Sequence, residues 1–239
     1  MVEGSPLLKV EHIEVTYKHR QQQKVIIQDA SFMLYPGEIV AMTGKSGAGK
    51  SIVSNALVGL LDKGLSVTKG QIMFEGKNIV EFSEQQFENL RRDSIAMMIQ
   101  HSLDGLDPIR LVKKQMLETI RQRKLGSNQE AEQLLHHLLT QVGFYEPEQI
   151  LHSYPFELSG GMRQRVLLAM MLSLKPKILI ADEPTTALDI VNREKVLRLL
   201  KQLQRNLGLT VLLISHDENS INKYADRVVH MNEGGVLSS

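Results

Sequence analysis

The sequence predicts an α/β fold, a mixed sheet with an antiparallel β front part and an inserted α-helical subdomain. Three observations carry this. The front part is rich in short apolar runs broken by turn signals, the pattern of antiparallel strands. Residues from about 103 to 172 show helical spacing of apolar side chains instead. After them, buried strand and amphipathic helix alternate, which implies a parallel sheet covered on both faces.

Taken in order, Leu8, Val10, Ile13 and Val15 mark a strand over residues 8–16. The polar run His19-Arg20-Gln21-Gln22-Gln23-Lys24 reads as a loop, and residues 25–34 as a strand or pair of strands. Pro36-Gly37 is a turn signal feeding the apolar strand Ile39-Val40-Ala41-Met42, and residues 52–61 read as a helix. Gln71-Ile72-Met73-Phe74 and Asn78-Ile79 flank Glu75-Gly76-Lys77 as a hairpin. Helices are expected over 111–124 and 129–142, the second carrying Leu134, Leu135, Leu138, Leu139 and Val142. Ile178-Leu179-Ile180-Ala181 is a short buried strand, residues 191–207 an amphipathic helix stopped by Gly208, and residues 210–214 another buried strand. The chain of 239 residues reads as one domain, 1–239, with the helical subdomain inside it.

Composition narrows the function classes. Hydrophobic residues make up 42 % and charged residues 23 %, ordinary for a globular protein. A net charge of +1 provides no field for nucleic acid, so no nucleic-acid partner is expected. With no cysteine, disulfides, cysteine-ligated zinc and iron–sulfur clusters are excluded in this chain. No apolar run approaches bilayer length, and the N-terminus lacks the parts of a signal peptide. A membrane role is therefore expected to come through a partner.

Between the strand at 39–42 and the helix after it stands Gly44-Lys45-Ser46-Gly47-Ala48-Gly49-Lys50-Ser51, then Ile52. It fits G-x-x-x-x-G-K-[ST], the phosphate-binding loop, and has the strand–loop–helix context that the motif needs. Glycines let backbone N–H groups turn inward around phosphate oxygens, and the helix N-terminus adds unpaired donors. Lys50 would reach the β- and γ-phosphates, and the Ser51 hydroxyl would sit on Mg²⁺. The fold class sharpens to a P-loop NTPase core.

The strand at 178–181 ends in Asp182-Glu183. Ligands of parallel α/β sheets bind at the carboxyl ends of strands. Asp182 would hold Mg²⁺, and Glu183 would polarise the attacking water. Taken alone, the pair is equally a strand end that caps the next segment. Leu158-Ser159-Gly160-Gly161-Met162-Arg163-Gln164-Arg165 is a second Gly-rich stretch opening a helix. It is either an N-cap by Ser159 with two permissive glycines or a second anion-binding terminus. One nucleotide rarely needs two cradles, so the second is expected to serve a nucleotide held by another subunit.

These residues, in this order, resemble the ATP-binding subunits of ABC transporters over nearly the whole chain. Residues 44–51 look like the Walker A loop, Gln100 like the Q-loop glutamine, residues 158–162 like the LSGGQ-type signature with Met162 in place of Gln, and residues 178–183 like Walker B with its catalytic glutamate. Thr186-Ala187-Leu188-Asp189 resembles the D-loop, and His216 the switch histidine. Tyr17 lies where family members place an aromatic ring against adenine. The resemblance implies two ATP-binding subunits closed head to tail, each ATP held by Lys50 and Ser51 of one and by Ser159, Gly160 and Gly161 of the other. It implies His216 at the γ-phosphate, Gln100 sensing Mg²⁺ and γ-phosphate, and a helical subdomain gripping a cytoplasmic helix of a membrane subunit.

The stretch Tyr154-Pro155-Phe156-Glu157 leading into the signature resembles the D-type ATPases of oligopeptide, dipeptide and nickel importers. Such systems pair a D-type with an F-type ATPase, add two membrane-spanning permease subunits and an extracytoplasmic binding protein, and work at the cytoplasmic face of the membrane. Peptide-importing members usually carry a C-terminal extension, often with a cysteine cluster. This sequence shows neither, which favours nickel or another metal chelate as cargo, with oligopeptide or dipeptide as the alternative. A soluble ABC ATPase of DNA repair or translation is the competitor from another class, but such proteins usually carry coiled-coil insertions or paired ATPase domains. A P-loop kinase or GTPase-like switch leaves Ser159-Gly160-Gly161 without a role.

Other features carry little. The adjacent His136 and His137 point in different directions on a helix, which disfavours shared metal ligation. The basic clusters Lys113-Lys114 and 121–124 read as solvated helix faces, and the 11 methionines as core filler.

Overall fold

The computed structural model describes residues 4–20, 22–99, 105–121, 127–186, 188–232 and 235–238. Among these, ten strands form one sheet. The front half is antiparallel: β1 (Leu8–His19), β2 (Gln22–Leu34), β4 (Leu65–Phe74) and β5 (Lys77–Asn78). The rear half is parallel: β3 (Ile39–Thr43), β8 (Thr210–Ile214), β7 (Ile178–Asp182) and β6 (Ile95–Met98), with β9 (Arg227–Asn232) parallel on the other side of β3. A final strand, β10 (Gly235–Ser238), turns back antiparallel to β9 and meets β2. Across the sheet the order is β5-β4-β1-β2-β10-β9-β3-β8-β7-β6.

Side-chain alternation explains why β3, β7 and β8 each carry an unbroken apolar run. Ile39, Ala41, Leu179, Ala181, Val211 and Leu213 face one core, and Val40, Met42, Ile178, Ile180, Leu212 and Ile214 face another. The first core is covered by α3 (Val112–Arg121), α4 (Asn128–Gln141), α6 (Gly160–Ser173) and α7 (Ile190–Leu207). The second lies under α1 (Lys50–Leu57), α2 (Glu84–Asp93) and the antiparallel ribbon. The short α5 (Pro147–Leu151) and α8 (Glu218–Tyr224) complete the α-helices among the described residues.

Several sequence expectations shift. The polar run at 19–24 is largely strand: β1 runs to His19 and β2 starts at Gln22, with Tyr17 opposite Lys24 and His19 opposite Gln22, and residue 21 lies outside the described residues. Backbone pairing continues this ribbon beyond the core, where its side chains are exposed and no apolar alternation marks it. Helix α1 stops at Leu57 rather than near 61, because Gly59 takes a left-handed φ of 68° against the Phe87 ring. Helix α2 goes beyond the sequence reading, although Ser83 and Gln86 form a capping box that announces it.

Candidate nucleotide site

Sheet register gathers the site. Met42 pairs with Ile214, and Ile214 with Asp182, so three strands end in one row. The loop after β3, the carboxylates after β7 and the histidine after β8 therefore emerge at one edge, the carboxyl edge of the parallel strands.

Residues 44–51 leave β3 and enter α1. Gly44 has φ +146°, and a Cβ there would lie 2.3 Å from the Met231 carbonyl oxygen. Gly49 is the N-cap of α1 with φ +99°, and a Cβ there would lie 2.3 Å from Ile27 Cδ1. Only glycine fits at both. No side chain caps α1, so the first-turn N–H groups of Lys50, Ser51 and Ile52 are not engaged by a capping residue. The Lys50 ammonium donates to the carbonyls of Gly44 at 2.9 Å and Lys45 at 3.0 Å, which holds it inside the curve of the loop. An ammonium has three donors, so one remains for a phosphate oxygen. Lys45, Ser46, Gly47 and Ala48 line a concavity of about 770 Å³ together with His230, Met231 and Asn232.

Asp182 is buried at the end of β7, and its Oδ1 has no hydrogen-bond partner among the described residues. Burial raises its carboxyl pKa above the ordinary value; the Ser51 hydroxyl opposes the rise, neighbouring Glu183 adds to it, and Lys50 opposes it. A buried carboxylate oxygen without a donor, beside a serine hydroxyl, is an all-oxygen set that fits a hard divalent cation such as Mg²⁺. Among the described residues no group of three or more His, Cys, Asp or Glu forms a metal cage.

Glu183 comes next in a left-handed conformation, φ +47°. Strain of this kind in a non-glycine residue persists where neighbours enforce it. Here the Glu183 N–H donates to Ile214 O at 2.9 Å, Thr186 Oγ1 donates to Glu183 Oε2 at 2.7 Å, and His216 Nδ1 stands 3.2 Å from Oε1. Burial pushes the Glu183 pKa up, but the hydrogen bonds of Thr186 and His216 and the charges of His216 and Lys50 outweigh it, leaving the carboxyl below its ordinary value. It is therefore ionised at neutral pH and suited to accept a proton or orient water.

Ser159 caps α6: its Oγ accepts from Met162 N at 3.3 Å. No hydrogen bond among the described residues joins Ser159, Gly160 or Gly161 to residues 44–51. Tyr17 stands on β1 with its ring exposed, stacked on His19 with ring centroids 6.2 Å apart. Gln100 lies outside the described residues. Of the expected residues, Lys50, Ser51, Asp182, Glu183 and His216 interact with one another.

Sequence reasoning missed two contributors. Thr186, in the stretch resembling a D-loop, holds Glu183 through its hydroxyl. His230 lines the loop concavity, its Nδ1 2.6 Å from Thr43 Oγ1. No local motif signals it, because only the pairing of β9 with β3 brings residue 230 beside residue 43.

The chain matches the family described as ABC transporter over residues 27–186. It is 40 % identical over 235 residues to the peptidoglycan transport ATP-binding protein YejF of Agrobacterium fabrum, covering 98 % of this chain and 43 % of that protein. The metal-staphylopine import system ATP-binding protein CntD of Staphylococcus aureus is 40 % identical over 231 residues, 97 % of this chain and 84 % of that protein. The oligopeptide transport ATP-binding protein AppD of Bacillus subtilis is 38 % identical over 236 residues, 98 % of this chain and 72 % of that protein. Among solved structures, the dimeric post-hydrolysis state of the ATP-binding cassette MJ0796 bound to ADP and Pi superposes with a TM-score of 0.81 at 26 % identity, covering 97 % of this chain and 98 % of that one. The chain thus belongs to the ABC transporter family, as an ATP-binding and ATP-hydrolysing subunit of its importers.

Proposed function

We propose that this chain is the D-type ATPase of an importer for nickel or another metal chelate, working in a head-to-tail pair with a second, F-type ATP-binding subunit. The observation that carries the chemistry is the Glu183–His216 pair, set on the sheet edge that also carries Lys50 and Asp182. Residues 44–52 would wrap the triphosphate, and Tyr17 would stack on adenine. Ser51 and Asp182 would hold Mg²⁺, with Gln100 as a further ligand. Held there, Mg²⁺ would supply charge neutralisation for the phosphates. Glu183 would accept a hydrogen bond from the attacking water and take its proton as the oxygen bonds to the γ-phosphorus. His216 would hold the γ-phosphate and orient Glu183. The bond to the leaving ADP oxygen breaks in the same displacement.

Ser159, Gly160 and Gly161 would complete the cage around the partner's nucleotide through the N-terminus of α6. The dimeric state named for the MJ0796 cassette supports this arrangement. Residues 103–172 would act as the subdomain that grips a permease. No helix among the described residues is long and apolar enough to cross a membrane, so attachment to the cytoplasmic face would come from two permease subunits, fed by an extracytoplasmic binding protein.

The chelate cargo is favoured by likeness to a metal-staphylopine system over most of that relative's length. Oligopeptide or dipeptide import is the second reading, favoured by likeness to AppD. Transport into proteoliposomes carrying the co-expressed subunits tests both. Accumulation of a nickel chelate that depends on ATP and is lost in Glu183→Gln supports the first reading. Accumulation of labelled peptide without metal uptake replaces it with the second.

A further inference from the structure

The first turn of α7 lies between two loops that the mechanism uses separately. Asp189 caps the helix: its Oδ1 accepts from Asn192 N at 2.9 Å, and its Oδ2 from Asn192 Nδ2 at 2.5 Å. The second bond holds the Asn192 side chain beside Gly161, whose missing Cβ leaves room for it. A Cβ on Gly161 would lie 3.2 Å from Asn192 Oδ1 and 3.3 Å from its Cγ. One residue on, Arg193 Nη1 donates to Asp217 Oδ2 at 2.6 Å. Asp217 directly follows His216, and its own N–H is tied to Ser215 Oγ at 3.1 Å. The ion pair is largely shielded, with side chains 29 % and 23 % exposed, so solvent screens it less than a surface pair. Arg193 holds this position although its Nε is buried without a hydrogen-bond partner among the described residues, a cost that a shorter or solvent-facing side chain would avoid.

We propose that Asn192 and Arg193 are positioning residues. They make the first turn of α7 a rigid link between the signature segment at Gly161 and the loop that carries His216. One chain would thereby tie the half-cage it lends to its partner's nucleotide to the histidine that meets its own γ-phosphate. A displacement at Gly161 pushes on Asn192, and the helix, through Arg193 and Asp217, carries it to His216. This rests on the two-subunit reading above.

The test uses the full chain assembled with its partner ATPase and measures ATP hydrolysis, nucleotide affinity and thermal unfolding for Asn192→Ala, Arg193→Met and Arg193→Lys. Misplacing a catalytic group by an ångström costs up to about 100-fold; a partly restrained loop should lose less. Arg193→Met and Asn192→Ala are expected to lower kcat by about five- to twentyfold with KM unchanged within about twofold, and Arg193→Lys to recover at least about half of the rate. The double variant should fall no further than the worse single one, since both break one linkage. Unchanged kcat in both single variants would overturn the proposal, as would parallel loss of kcat, ATP affinity and melting temperature. A wild-type assembly that binds ATP without hydrolysing it would overturn the reading of the site itself, and with it the linkage.

Discussion

His216 Nδ1 and Glu183 Oε1 stand 3.2 Å apart across 33 positions of sequence. The pair joins the end of β8 to the end of β7 at the point where a left-handed residue turns its carboxylate into the site. Replacing Glu183 by Gln keeps the size and the Thr186 and His216 contacts but removes the charge that, on the proposed mechanism, would draw a proton from water. We expect kcat to fall by at least about 100-fold, with ATP affinity retained. Size-exclusion chromatography should then show an ATP-dependent dimer with the partner subunit. Full turnover by the variant would remove Glu183 from this role.

Asp182 predicts an exchange of function for stability. Its carboxyl is buried with one oxygen unpartnered among the described residues, and burial disfavours its charged form, a cost in metal-free protein. Asp182→Asn abolishes any charge there at nearly constant volume. In the presence of a chelator at neutral pH it should raise stability by about 1 kcal/mol, roughly 2–4 °C in melting temperature. Added Mg²⁺ with ATP should then stabilise the wild type more than the variant. A variant that melts lower than wild type in chelator contradicts the account of Asp182.

The parts of this molecule that were legible in sequence are those where one local constraint decides. The strands β3, β7 and β8 are buried on both faces, so each holds an unbroken apolar run, with a polar residue only at one end. The loop at 44–51 needs glycine where Met231 and Ile27 press on it, and the sequence has glycine there. Helix α7 ends where Gly208 takes φ +65°. The ribbon at 17–24 was missed because its strands are held by backbone pairing with side chains in solvent. The neighbours of the loop on β9, His230 and Met231, are set by register across a sheet, which no window of local sequence contains.

Gly44 should be intolerant of any side chain. An Ala methyl would lie 2.3 Å from a backbone oxygen, that of Met231, which β9 pairing holds in place. The φ of +146° adds strain for any L side chain. We expect Gly44→Ala to destabilise the fold by about 1–3 kcal/mol and to weaken ATP binding, because relief requires the loop to move off β9. Gly47 is a useful contrast: it also has a positive φ, +80°, but nothing lies within 4 Å of a Cβ there. Gly47→Ala should cost conformational strain without the clash. Equal unfolding midpoints for the two variants in a urea titration would show that the Met231 contact does not matter.

Asp226 predicts how the fold responds to acid. Its Oδ2 accepts from Ile39 N at 2.8 Å at the start of β3, and its Oδ1 pairs with Lys201 Nζ at 2.5 Å on α7. Burial pushes its pKa up, but the Lys201 hydrogen bond, the Ile39 N–H and the charges of Lys201 and Arg205 outweigh it, and the net direction is down. A carboxyl whose pKa is lower folded than unfolded binds fewer protons in the folded state. Its contribution is therefore fully present above the unfolded-state pKa, roughly 3.9, and disappears as pH falls through the folded-state value. Asp226→Asn keeps an acceptor but loses the charge; the Asp226 side chain is 39 % exposed and solvent screens the pair, so the cost at neutral pH should be about 1 kcal/mol, below the range of buried charge-assisted hydrogen bonds. The gap between wild type and variant should stay flat from pH 7 to about pH 5 and close below about pH 4, as the wild-type carboxyl takes up its proton. Urea unfolding curves at each pH measure this gap directly. If it widens on acidification, the sign of the shift is reversed and Asp226 is not the anchor of β3 against α7.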